Sequence, residues 1–150
     1  MSGPRYQIIL VEDAEPDVFL VREALEQSGI DFDLKVFDDG EQGLQFVETM
    51  DRDATATPPY LFLLDLNLPK KTGGQILRHV RQSHTCGHIP VVILTSSDSH
   101  KDKAEATDLH ATGYFRKPSR LEEFMKLGPY VRELLTHSRQ GESDSSSVAV

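Results

Sequence analysis

A single cysteine, Cys86, stands in a chain of 150 residues. That excludes an internal disulfide and any four-cysteine zinc site, and it makes a reducing cytosol the default compartment. Long apolar runs are missing too. The longest are Ile8 to Val11, Tyr60 to Leu64 and Val91 to Leu94, far short of the roughly 20 residues that cross a bilayer. The first of them gives way at once to Glu12 and Asp13, which is not how a signal peptide reads. Basic residues are in deficit: Lys and Arg number 16 against 24 Asp and Glu, for a formal charge of −8. No basic face is therefore expected to neutralise nucleic-acid phosphates. Such a balance suits cations and basic surfaces. These absences together predict a cytoplasmic protein that engages neither nucleic acid nor membrane.

What is present describes a globular chain. Hydrophobic residues make up 38% and charged residues 27%, in the range of folded domains. Short branched apolar runs alternate with segments of helical period. Strands are predicted over Tyr6 to Val11, Leu34 to Phe37, Tyr60 to Leu64, Val91 to Leu94 and Gly113 to Phe115. Helices are predicted over Pro16 to Ser28, Glu41 to Met50, Gly74 to His84, Lys101 to His110 and Leu121 to Leu135. In the first helix Phe19, Leu20 and Ala24 are expected to widen the apolar stripe of Val18, Val21 and Leu25. In the last, Gly128-Pro129 should kink or break the helix. Five strands alternating with five helices predict an α/β fold with a parallel, doubly wound sheet. The flavodoxin-like order 2-1-3-4-5 is the natural one for five strands. The domain is expected over residues 1–137, followed by a Ser-rich tail over 138–150 whose composition predicts disorder.

Ligand sites of open α/β sheets lie beyond the carboxyl ends of the strands. The residues just past each run are Glu12 and Asp13, then Asp65 and Asn67, then Thr95, then Lys117 and Pro118. Each has a plain explanation when taken alone. An acidic pair can solvate a turn, Asp65 can cap the next helical segment, Thr95 has good strand propensity, and lysines are mostly solvated. Together they put three carboxylates, a hydroxyl and an ammonium on one edge. Carboxylates so close need a cation, and an all-oxygen acidic set suits Mg²⁺. A metal beside Asp65 would offset repulsion of an incoming phosphoryl group. Lys117 would add a second positive charge, and the Thr95 hydroxyl could donate to a phosphoryl oxygen. This is a site for phosphorylating an aspartate.

The motifs ILVEDAEPD, LFLLDLNLPKKTGG, VVILTSS and GYFRKPS, in this order between Tyr6 and Leu135, resemble those of two-component response regulator receiver domains. The resemblance implies Asp65 as phospho-acceptor, with Mg²⁺ (or Mn²⁺ in its place) held by Asp13 directly, Glu12 mainly through water, Asp65, and the backbone carbonyl of Asn67. It implies Thr95 and Lys117 as the phosphoryl-sensing pair, Tyr114 as the switch aromatic and a cis bond before Pro118. The words VEDAEPDVFLVREAL and LDLNLPKKTGGQIL resemble the single-domain regulators of bacterial, cyanobacterial-type phytochrome histidine kinases. That likeness implies phosphoryl transfer from a sensor histidine kinase, a bacteriophytochrome among the candidates, onward contact with a downstream or phosphotransfer protein, and homodimerisation. No turnover of an external substrate is expected. The loop Asp51 to Pro59 and the segment after Ser138 depart from the common pattern.

Three other readings were weighed. A haloacid-dehalogenase-like phosphatase or phosphotransferase needs an acid where Asn67 stands, because an amide cannot serve as general acid/base. A flavin or nucleotide binder needs a phosphate-cradling loop after the first strand, where Glu12, Asp13, Glu15 and Asp17 would repel phosphate. A phosphorylation-independent interaction module has no need of the five polar residues. His79, His84 and His88 read as surface histidines, and the stripe Phe124, Leu127, Val131 and Leu134 reads mainly as core.

Overall fold

A computed structural model describes residues 5–141, with side chains to residue 137. Its elements run β1 (Tyr6–Val11), α1 (Glu15–Gln27), β2 (Phe32–Phe37), α2 (Gly40–Arg52), β3 (Leu61–Leu64), α3 (Gly73–Gln82), β4 (Val91–Thr95), α4 (His100–Asp108), β5 (Gly113–Arg116), α5 (Leu121–Phe124) and α6 (Leu127–Gly141). The strands form one parallel sheet in the order β2-β1-β3-β4-β5. This is the flavodoxin-like arrangement expected. The last turn of α6 includes Ser138, so helix continues past the expected boundary. The rest of the Ser-rich segment lies outside the described residues.

Side chains of a strand alternate between the two faces of a sheet, and each central strand is apolar on both. Ile9, Val11, Phe62, Leu64, Val91 and Ile93 pack with Val47, Ile76, Leu77, Val80 and Ala106 of α2, α3 and α4. Ile8, Leu10, Leu61, Leu63, Val92 and Leu94 pack with Val21, Ala24 and Leu25 of α1 and with Phe124, Leu127, Val131 and Leu135 of α5 and α6. Right-handed crossovers require such a division of helices between faces. The continuous apolar runs are therefore strands covered on both sides.

Three local outcomes differ from expectation. Phe19 is exposed, not part of the α1 stripe, because at about 100° per residue it points away from Val18, Val21 and Leu25. The last helix breaks at Met125 and Lys126, ahead of Gly128-Pro129. Pro129 thus sits in the first turn of α6, where its missing N–H costs nothing, and Gly128 lets that turn meet the backbone carbonyl of Ala24. The bond before Pro118 is trans; no cis peptide occurs among the described residues. An X–Pro bond prefers trans by about 0.5–1 kcal/mol, and the Lys117 amide and ammonium both find their partners with the bond in this form.

The last turn of α2, just ahead of the unusual loop, is tied to the segment after α3. Asp51 Oδ1 accepts from Ser83 Oγ at 2.6 Å and from the Thr85 amide at 3.1 Å. Ser83 Oγ in turn accepts from the Thr85 and Cys86 amides. The hydrogen bond from Ser83 holds the Asp51 carboxyl below its ordinary range. A depressed carboxylate stabilises the fold above its unfolded pKa near 4, and that contribution is lost as pH falls through the folded value. Asp51→Ala is expected to cost about 1–3 kcal/mol at pH 7, read as a lower urea midpoint. The deficit should shrink as the pH is taken below about 4.

Candidate active site at the carboxyl edge

The sheet's own hydrogen bonds build the site. Beyond the last paired residue of each strand the ladder runs one step further. The Glu12 amide donates to Phe37 O at 2.9 Å, the Asp65 amide to Val11 O at 3.1 Å and the Lys117 amide to Thr95 O at 2.7 Å. The first residue after β1, β3 and β5 is thereby fixed by backbone, and Thr95 closes β4. Past Asp65, the chain turns through Asn67, whose amide donates to Asp65 Oδ1 at 3.2 Å. Gly73 then opens α3 directly against the Asp65 carbonyl; a Cβ at that position would clash with it.

Burial decides between the plain and the chemical readings of these residues. Glu12 is 1% exposed, Asp65 6% and Thr95 0%, so Glu12 does not solvate a turn and Thr95 is more than an exposed strand end. Asp13 is exposed at the mouth. One carboxylate oxygen from each of Glu12, Asp13 and Asp65 falls within a common 4.8 Å. Among the described residues this is the one group of three or more acidic, histidine or cysteine side chains so arranged. His79 and His84 instead lie beside Glu48 and Asp51.

Lys117 bridges the cluster to α1. Its Nζ is 2.7 Å from Glu12 Oε1, 2.7 Å from Asp17 Oδ2 and 3.3 Å from Asp65 Oδ2, with the side chain 10% exposed. Burial works to depress its pKa, but the hydrogen bond to Asp17, the close ion pair with Glu12 and the Asp65 charge outweigh it, and the net shift is upward. Burial pushes the Glu12 carboxyl up to about 7, with the Asp65 charge adding to it and Lys117 opposing. Glu12 Oε2 accepts from the Ala14 amide. Oε1 touches the ammonium, yet in an orientation that leaves it no directed hydrogen bond. A buried carboxylate oxygen paired by charge alone, facing two further carboxylates, fits a hard cation with oxygen ligands.

The β4–β5 side of the pocket is organised by Ser97. Its amide donates to Thr95 Oγ1 at 3.2 Å, its carbonyl accepts from the Tyr114 hydroxyl at 3.0 Å, and its own hydroxyl donates to Asp102 of α4. Tyr114 is half-buried against the core on the α2–α4 side. The sequence reading passed over two of these residues. Ser97 falls within the VVILTSS motif with no role of its own, and Asp17 is only one acid among several after the first strand. The signal for Asp17 was its place in the first turn of a helix that starts at the functional edge.

These features coincide with a known family. The response regulator receiver domain matches residues 8–127, and the chain belongs to that family. Response regulator Rcp1 of Synechocystis sp. is 37% identical over 126 residues, spanning 84% of this chain and 86% of the relative. Its Mn²⁺-bound crystal structure superposes with a TM-score of 0.76 at 35% identity, covering 87% of this chain and 93% of that one. The phosphorylated cyanobacterial phytochrome response regulator RcpA gives 0.80 at 32% identity, covering 90% and 96%. The bacteriophytochrome response regulator RtBRR gives 0.71 at 34% identity, covering 87% and 78%. Receiver domains accept a phosphoryl group from sensor histidine kinases and bind Mg²⁺ in an acidic pocket, and this chain carries an acidic cluster in Glu12, Asp13 and Asp65. No helix among the described residues is long and apolar enough to cross a membrane.

With Lys117 removed, nothing positive remains among those carboxylates until a cation enters. Lys117→Gln is expected to lower Tm in EDTA, since a buried charge loses its partner. Mg²⁺ should then raise the variant's Tm by more than it raises that of the wild type. Equal Mg²⁺ shifts in a thermal melt would contradict this account of the site.

Proposed function

We propose that the protein is a single-domain response regulator that takes a phosphoryl group onto Asp65 in a Mg²⁺-dependent reaction. The observation that carries this reading is the buried Asp65 carboxylate, grouped with those of Glu12 and Asp13 and 3.3 Å from the Lys117 ammonium. An Asp65 oxygen attacks the phosphorus. The bond from phosphorus to the donor breaks, and its electron pair leaves on the donor, an imidazole nitrogen of a kinase phosphohistidine or the oxygen of an acyl phosphate. Glu12, Asp13, Asp65 and the Asn67 carbonyl are the groups that would hold Mg²⁺, which supplies neutralisation of phosphoryl charge when bound. Lys117 offers the second positive charge, and the Thr95 hydroxyl turns from accepting the Ser97 amide to donating to a phosphoryl oxygen.

The rest of the reading concerns signalling. Thr95 and Tyr114 both bond to Ser97, so movement of the Thr95 hydroxyl disturbs the Tyr114 anchor. A two-state equilibrium of the face formed by α4, β5 and the α5–α6 segment is biased in this way. We assign the donor to a phytochrome-type sensor histidine kinase in the cytoplasm, with output by contact with a downstream or phosphotransfer protein and with homodimerisation. Support comes from likeness to Rcp1, RcpA and RtBRR.

Incubation with a small acyl phosphate should add one phosphoryl mass to the wild type in Mg²⁺, and none in EDTA or in Asp65→Asn. Absence of the adduct from a phosphohistidine kinase donor as well would overturn the reading. Tyr114→Ala should still be phosphorylated but lose the phosphorylation-dependent change in amide exchange over α4 and β5. An exchange difference equal to that of the wild type would rule out Tyr114 as the switch.

A further inference from the structure

Lys117 has three carboxylate partners, and two of them, Glu12 and Asp65, belong to the group that a cation would take. Asp17 is the third. It lies outside that group, on the first turn of α1, and its Oδ2 is 2.7 Å from Nζ. The pair is sheltered, with side chains 10% and 27% exposed, so its attraction is screened less than that of a surface pair. Once a divalent cation draws on Glu12 and Asp65, Asp17 alone among these partners stays free to hold the ammonium. Without it, Lys117 would fall back on Asp65, now 3.3 Å away, and tie up an oxygen that must act as nucleophile or metal ligand.

We propose that Asp17 is the positioning residue for Lys117: it holds the ammonium beside Asp65, where the arriving phosphoryl group meets it, and keeps it from closing onto the nucleophile. The proposal rests on the phosphoryl-acceptor reading. Asp17 lies outside the carboxylate group around Asp65 and acts through Lys117. The contact also ties the chain after β5 to the start of α1, two segments exactly one hundred residues apart.

The test is a double-mutant cycle on the initial rate of Mg²⁺-dependent phosphorylation by a small acyl phosphate, in the full chain. A misplaced charge of this kind is expected to slow Asp17→Asn by roughly ten- to a hundred-fold, with Asp17→Glu recovering most of the rate. In the Lys117→Gln background, Asp17→Asn should cause no further loss, because residues acting as a unit are not additive. A merely structural role for Asp17 would add its cost in both backgrounds, and that result overturns the proposal. An unchanged rate in Asp17→Asn while Lys117→Gln is slow overturns it too, yet leaves the phosphoryl-acceptor reading standing. A wild-type rate in Lys117→Gln overturns the role of Lys117 in that reading, and this proposal with it. Thermal melts of each variant confirm that folded proteins are compared.

Discussion

Every feature of this molecule that bears on chemistry depends on one electrostatic constraint: two carboxylates, Glu12 and Asp65, are buried at the edge of a sheet. Carboxylates so placed repel each other and lose their hydration. Burial raises the Glu12 carboxyl to about 7, and the Lys117 ammonium, reaching in from the end of β5, offsets what burial costs. The compensation is incomplete, since Glu12 Oε1 has charge contact without a directed hydrogen bond. One ammonium among the carboxylates of Glu12, Asp13, Asp17 and Asp65 leaves the edge with a surplus of negative charge, which suits a divalent cation. An incoming phosphoryl group would need both that cation and the ammonium to offset its own charge.

The fold serves this constraint by making the edge rigid. Glu12, Asp65 and Lys117 each have a backbone amide locked to a neighbouring strand, and the strands beneath them are apolar on both faces. The β4–β5 side of the pocket is built differently. Thr95, Tyr114 and Asp102 converge on Ser97 through three separate hydrogen bonds. Under the proposed function, a change at Thr95 would reach Tyr114 and α4 through this one residue.

The sheet, its order and the identity of the edge residues were legible in the sequence because they depend on local pattern. Continuous apolar runs such as Leu61–Leu64, short and bounded by a Pro-containing loop and an acid, read as strands covered on both faces, and the residue after each run then falls at the edge. What was not legible arises from partners far apart in the chain. The Lys117–Asp17 contact spans the fold and is invisible to periodicity. The three bonds of Ser97 depend on how the loop after β4 folds over β5. Phe19 was misplaced because composition counted it with an apolar stripe that its helical angle excludes. The bond before Pro118 was assigned from family likeness, and no residue in the sequence argued for either isomer.

The central claim is that Asp65, and no other carboxylate of the cluster, takes the phosphoryl group. Reduction of the phosphorylated protein with borohydride converts an aspartyl phosphate to homoserine, which peptide mass spectrometry locates. The account predicts homoserine at position 65 in Mg²⁺-treated, acyl-phosphate-treated protein and none when Mg²⁺ is chelated. Homoserine at position 13 or 17, or at 65 regardless of metal, would contradict it.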